Sequence, residues 1–270
     1  MKAAPRFAPH VTVFGAGPRR ALALHCTMAF GGAWKGLSKA LPDLTLIAPD
    51  MPSHGQSPDW NGSDSFGDTV LAGSLDVADA GPMDIIGHSF GAITALRIAQ
   101  VARERVRSLT LIEPVFFAVA LQDAPKTLEA QSTASQAFTE AVDAADMEAA
   151  ARAFNRMWSA DAPPWDRLPE RTRAAMIRGV RVVPDTYALL YDDTAGLLGP
   201  GGVAEMDIPT LLMRGARARD TIVAVNDGLA ARMPQAQQVV IPDAGHMAPI
   251  SHPEAVAQSL MRFLDGIRSD

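Results

Sequence analysis

The stretch Met83–Ala95, MDIIGHSFGAITA, limits what this chain can fold into more than any other segment. An apolar run of strand length meets Gly87-His88-Ser89-Phe90-Gly91, and a helical pattern starts at once. Glycines on either side of a serine let the chain turn sharply from strand to helix and leave the hydroxyl exposed, the arrangement called a nucleophile elbow. Such a turn belongs at the edge of a sheet covered by helices. It also carries a chemical demand. A serine alcohol is a poor nucleophile until a base removes its proton, so a histidine must arrive from elsewhere in the sequence.

The remainder of the chain supplies the sheet. Short apolar runs at Val11–Phe14, Ala21–His25, Leu44–Ala48, Met83–Gly87, Ser108–Ile112, Thr210–Arg214 and Gln238–Ile241 read as strands. Helical patterns at Trp34–Leu41, Phe90–Val101, Ile222–Met233 and Pro253–Leu264 lie between them. Alternation of this kind predicts an α/β domain with a mostly parallel central sheet flanked by helices. From residue 115 to 206 the pattern changes to about 90 residues of helical periodicity without a convincing strand, too long for a plain connection. The expected organisation is a core of residues 1–114 and 207–270 with a helical cap insertion over 115–206. Ala-rich Thr139–Trp158 reads as its clearest helix, and Phe154, Trp158 and Trp165 are candidates either for a substrate pocket or for the insertion's own core.

Composition removes several functions. A net charge of −6 with an acidic pI argues against nucleic acid, whose phosphates require a basic face. The first ten residues have no apolar run suited to a signal peptide or membrane anchor, so a cytoplasmic protein without membrane attachment is expected. Cys26 is the single cysteine, and a small buried residue is its expected role. The dispersed histidines suggest no metal site. Gly15-Ala16-Gly17-Pro18-Arg19-Arg20-Ala21 fits a dinucleotide fingerprint in letters only, because no helix follows, and reads as a hairpin turn. The Arg103–Arg107 cluster reads as a solvated helix end. Nothing in the sequence speaks to oligomeric state.

Of the six histidines, His246 stands out, because Asp243-Ala244-Gly245-His246-Met247 follows the last strand and precedes the last helix. Serine first and histidine late is the order expected for this elbow. With these residues together, the chain resembles the α/β-hydrolase fold superfamily over nearly its whole length. The resemblance implies His246 as the base, with His252-Pro253 opening the final helix. It implies the backbone N–H groups of Phe90 and, in Leu24-His25-Cys26-Thr27, of Thr27 as oxyanion donors. Asp50-Met51-Pro52-Ser53-His54-Gly55-Gln56-Ser57 matches a structural loop of the superfamily, with Ser53 where glycine is usual.

Two carboxylates compete for the third role. The superfamily's commonest acid slot holds Ala218, with Asp220 two residues on; an alternative slot, used by haloalkane dehalogenases among others, holds Glu113 at the end of the strand after the elbow helix. Glu113 follows an apolar run and precedes Pro114, an odd place for an unpartnered charge, and is favoured over Asp220. The implied activity on a small molecule is cofactor-free hydrolysis of an ester, thioester or lactone through a Ser89 acyl-enzyme. The alternatives are hydrolysis of a C–C bond in a β-diketone-like substrate, and a ligand-binding protein that keeps the fold without turnover.

Overall fold

Each of the seven apolar runs forms a strand, and the β-branched and leucine-rich runs of β3, β4 and β5 suit strands covered on both faces, as they are here. They are β1 (Val11–Phe14), β2 (Arg19–Leu24), β3 (Leu44–Pro49), β4 (Met83–His88), β5 (Val106–Ile112), β6 (Thr210–Gly215) and β7 (Ala236–Ile241). The structure is a computed structural model that describes residues 7–159 and 163–267. The sheet runs β1-β3-β2-β4-β5-β6-β7, with β1 antiparallel to β3 and every other pairing parallel.

Alternate residues face opposite layers, as the two-residue period of a strand requires. Leu22 and Leu24 enter one apolar layer, and Ala21 and Ala23 the other. The α-helices in chain order are α1 (Lys35–Lys39), α2 (Phe66–Val77), α3 (Phe90–Val101), α4 (Phe117–Asp123), α5 (Pro125–Asp143), α6 (Met147–Trp158), α7 (Glu170–Val180), α8 (Tyr187–Tyr191), α9 (Asp220–Arg232), α10 (Ala248–Ser251) and α11 (Pro253–Asp265). Residues of α2, α3, α4 and α9 fill the first layer, and those of α1 and α11 the second.

Between β5 and β6 the described residues are helical or irregular. The helix expected over Thr139–Trp158 is two helices. α5 ends at Asp143, Ala145 adopts φ 56°, and Asp146 starts α6 by accepting the Ala149 N–H at 2.9 Å. α4 sits within the main core, with Phe117 to Ala120 buried, whereas Ala141, Ala150, Ala151, Trp165 and Val180 make a separate small core for α5–α7.

Two further expectations need correction. The Gly15–Pro18 segment does not close a hairpin, because β3 lies between β1 and β2 and pairs with both. Its Gly17 sits against the chain at Asp43, where a Cβ would come within 2.0 Å of the Asp43 carbonyl carbon. The Arg103–Arg107 cluster is not simply solvated. Arg105 donates to the carbonyls of Leu75, Ala78 and Asp79 at the end of α2, and Arg107 reaches Asp84.

Asp84, within β4 and 1% exposed, is the centre of a buried polar cluster. Arg19 grips both its oxygens at 2.6 and 2.9 Å, Arg107 donates at 3.0 Å and the Ser108 hydroxyl at 2.7 Å. β2 begins at Arg19 rather than Ala21 because Arg19 and Arg20 pair with Leu44 and Thr45 of β3. Removing one partner of a buried ion pair leaves the others uncompensated, so Asp84→Ala is expected to cost about 3–5 kcal/mol of stability. Urea unfolding of the variant beside wild type measures this; a loss under about 1 kcal/mol would show that the cluster contributes little.

Candidate active site

At the β4–α3 turn Ser89 holds φ 55°, ψ −116°, a conformation that costs a non-glycine residue about 1–3 kcal/mol. The flanking glycines serve close approach, since neither has a positive φ. A Cβ on Gly87 would lie 2.4 Å from the Gly91 carbonyl oxygen, and one on Gly91 2.2 Å from that of Leu24. The Ser89 N–H donates to Ile112 O at 2.9 Å, which ties the strained turn to β5.

His246 comes from the loop after β7 and Glu113 from the residue just past β5. The Ser89 Oγ lies 3.0 Å from His246 Nε2, and His246 Nδ1 lies 3.0 Å from Glu113 Oε2. Glu113, fully buried at φ 51°, uses its other oxygen to accept the Gly215 N–H at 2.6 Å. Its own N–H donates to Met213 O at 2.8 Å. The carboxylate is thus oriented by the end of β6. With Nδ1–H donated to Glu113, Nε2 is left as an acceptor for the serine proton.

His88 was passed over in the sequence because it sits beside the serine on the elbow. Its Nε2 donates to the His246 carbonyl at 2.8 Å and so holds the backbone of His246. Burial, with the neighbouring His246 adding to it, pushes its pKa down to about 3. The loop carrying Thr27 is held similarly. His25 donates Nδ1–H to Cys26 O at 2.8 Å and accepts the Met51 N–H at 2.9 Å. His54 donates to Pro52 O at 2.8 Å and accepts the Met28 N–H at 3.0 Å. Within this loop Met28 takes a positive φ of 65°. Burial drives His54 down to about 3 and the Cys26 thiol up to about 12, leaving the cysteine a buried neutral group.

These depressed histidines make stability pH-dependent. The unfolded chain takes up protons on His54 and His88 near pH 6.5, while the folded chain refuses them until about pH 3. Stability is therefore fully present above pH 6.5 and falls on acidification through that window, by up to about 1.4 kcal/mol per pH unit per histidine. Denaturant titrations at pH 4–7 should show His88→Gln with a shallower acid slope than wild type. Parallel slopes would remove His88 from the account.

The Asp50 loop is a scaffold. Asp50 accepts the N–H groups of Gly31 at 2.6 Å and Gln56 at 2.8 Å, and Ser53 fills the usual glycine position at φ 63° while its Oγ accepts the Trp60 N–H at 3.0 Å.

Two cavities meet at Ser89. The larger, about 140 Å³, runs past Phe90, Phe117, Phe154 and Trp158 towards α5 and α8; the smaller, about 50 Å³, lies between Cys26–Ala29, Asn155, Met176 and His246. Thr27, Phe154 and Trp158 border both. The Trp158 ring lies 4.5 Å from the His246 ring, centre to centre, and Arg219 sits over its indole at 5.9 Å. The Phe90 N–H, at the first turn of α3, has no acceptor inside its helix. Trp165 borders neither cavity. It packs in the α5–α7 core and donates its indole N–H to Glu148 at 3.2 Å. Asp220 is exposed at the start of α9, and Ala218 lies in the preceding turn. Sequence reading missed the lining from Met176, Tyr187, Leu190 and Tyr191, which nothing but helix packing brings to the serine.

A mostly parallel sheet with a strained serine at one strand end, facing a histidine and a carboxylate from two other strand ends, defines a hydrolase-type α/β protein. The alpha/beta hydrolase family profile matches residues 21–259, and the chain belongs to that family. It is 31% identical over 259 residues to Lipase LipV of Mycobacterium tuberculosis, covering 92% of this chain and 94% of that one. It is 30% identical over 261 residues to the pimeloyl-[acyl-carrier protein] methyl ester esterase of Xanthomonas campestris pv. campestris, covering 94% and 98%. A thermophilic esterase from Thermogutta terrifontis shares the fold with a TM-score of 0.70 at 23% identity, covering 95% of this chain and 93% of that one. Among the described residues no helix is long and apolar enough to cross a membrane.

Proposed function

We propose that the protein is a carboxylic ester hydrolase that works through a Ser89 acyl-enzyme. The observation that carries this is the unbroken hydrogen-bonded line Ser89 Oγ, His246 Nε2, His246 Nδ1, Glu113 Oε2, with both contacts at 3.0 Å. As the Ser89 oxygen attacks the ester carbonyl, its proton passes to His246 and Glu113 stabilises the imidazolium. The negative charge that forms on the carbonyl oxygen is met by the N–H groups of Phe90 and Thr27. Collapse breaks the bond to the alcohol oxygen, and His246 returns the proton to it. Water then repeats the sequence on the acyl-enzyme, releasing a carboxylic acid and free Ser89. The helices α5 to α8 act as a cap, because their side chains supply the outer walls of both cavities.

Lipase and esterase relatives support ester hydrolysis over the C–C alternative. A fluorophosphonate probe tests the reading directly. The native protein is expected to be labelled on Ser89 within minutes, and Ser89→Ala not at all. A native protein that resists the probe while hydrolysing esters would overturn the acyl-enzyme.

A further inference from the structure

α6 reads MEAAARAFNRMW, and its asparagine is a poor helix former at a buried position where alanine or leucine would be favoured. Asn155 is 9% exposed, and its side-chain amide has no hydrogen-bond partner among the described residues; only its backbone carbonyl is engaged, by the Ser159 N–H. Buried amides in native proteins are nearly always paired, so one that borders a cavity without a partner is available to what enters that cavity.

Its place beside the base is fixed by the helix. Residues three apart share a helix face, and Trp158, three on from Asn155, sets its ring 4.5 Å from that of His246, centre to centre. Asn155 accordingly borders the smaller cavity together with Ser89 and His246. The hydroxyls of Thr27 and Ser159 border it too, and neither has a hydrogen-bond partner among the described residues.

Water suits this set of groups. A cavity water takes about two to four polar partners, and about 50 Å³ exceeds the roughly 30 Å³ that one water occupies in the liquid. Most of the lining is half-buried rather than buried, so the cavity fills from solvent. The larger cavity does not border His246, and a water there has no route for its proton to the base.

From this arrangement we infer that Asn155 holds the water that attacks the acyl-enzyme, an inference that rests on the Ser89 reading above. Asn155 Oδ1 accepts one hydrogen of the water and His246 Nε2 the other, which leaves an oxygen lone pair for the acyl carbon. Attack forms the bond from the water oxygen to that carbon and passes a proton to Nε2. Collapse breaks the bond between the carbon and Ser89 Oγ, and His246 returns the proton to Oγ as the carboxylic acid leaves. Acylation needs no water, because its proton comes from Ser89. Asn155 therefore acts on one half of the cycle only.

Stopped-flow hydrolysis of p-nitrophenyl acetate by the intact protein separates the halves, since the first turnover reports acylation and the return of free enzyme reports deacylation. Leucine is close to asparagine in size and has no hydrogen-bonding group. In Asn155→Leu the acylation rate constant is expected within about threefold of wild type and deacylation at least about tenfold slower, the factor a hydrogen bond in the transition state carries. With deacylation limiting, kcat and KM should fall together and leave kcat/KM in place, and acid-quenched protein should carry acetyl on Ser89 by mass. The burst amplitude counts competent sites, so a partly misfolded preparation lowers the amplitude and not the rate constants. Equal losses in both steps would make Asn155 a structural support, a loss confined to acylation would assign it to the leaving alcohol, and unchanged rates would leave it without a part; each overturns the proposal. Turnover that persists in Ser89→Ala would instead overturn the acyl-enzyme itself.

Discussion

Replacing Ser89 with alanine is expected to lower kcat on methyl hexanoate by at least about 10⁴-fold with little change in KM. The attacking atom is gone, while the cavities and the N–H groups of Phe90 and Thr27 remain, and comparable removals in serine hydrolases leave only the residual rate that binding and an oxyanion hole sustain. Stability should change little. Ser89 sits at φ 55°, but alanine is strained there too, so the backbone cost stays; what goes is a buried hydroxyl whose partner in this structure is His246. The variant should therefore unfold at a denaturant concentration close to that of wild type. His246→Ala should lose a similar factor in kcat, and the double variant no more than either alone, because serine and base act as one unit. Losses that multiply in the double variant would mean that the two residues act independently, contrary to the shared proton.

The parts of this site that were legible in the sequence are those a strand end carries. Ser89 lies between glycines at a change of period, His246 follows the last apolar run, and Glu113 is a charge stranded after one. Each is a local violation of pattern at the same edge of a parallel sheet, which is where function collects in open α/β folds. Asp84 is an equal violation, inside the β4 run, yet its partners Arg19 and Arg107 sit on the two flanking regions of sequence and are recognisable only once β2, β4 and β5 are side by side.

The break between α5 and α6 was hidden for a different reason. Helices commonly stop at a glycine in the left-handed conformation, but here Ala145 occupies it within an alanine-rich stretch, so composition argued for continuity. The cavities were illegible for a third reason. Their walls come from helices whose mutual packing the sequence pattern does not encode, which is why Trp158 and Phe154 border the serine while Trp165, similar in type and near in sequence, anchors the α5–α7 core.

The assignment of the acid separates most sharply in Glu113→Gln beside Asp220→Asn. Glutamine is nearly isosteric, and its amide oxygen still accepts the Gly215 N–H that Glu113 Oε1 holds at 2.6 Å. Its amide nitrogen then faces His246 Nδ1, where the carboxylate oxygen stood at 3.0 Å. That nitrogen only donates, so Nδ1 must become the acceptor and the ring proton moves to Nε2, facing Ser89. In that tautomer His246 has no lone pair for the serine proton. The same exchange in a serine protease, with geometry preserved, costs about 10⁴ in kcat. A loss of about 10³- to 10⁴-fold is expected here, with KM nearly unchanged. Asp220→Asn removes an exposed charge from the first turn of α9, an effect of about 0.3–1 kcal/mol on stability, and should leave kcat within about twofold of wild type. Similar small losses in both folded variants would take Glu113 out of the mechanism. A large loss in Asp220→Asn alone would require the loop around Ala218 to bring that carboxylate to His246 during turnover.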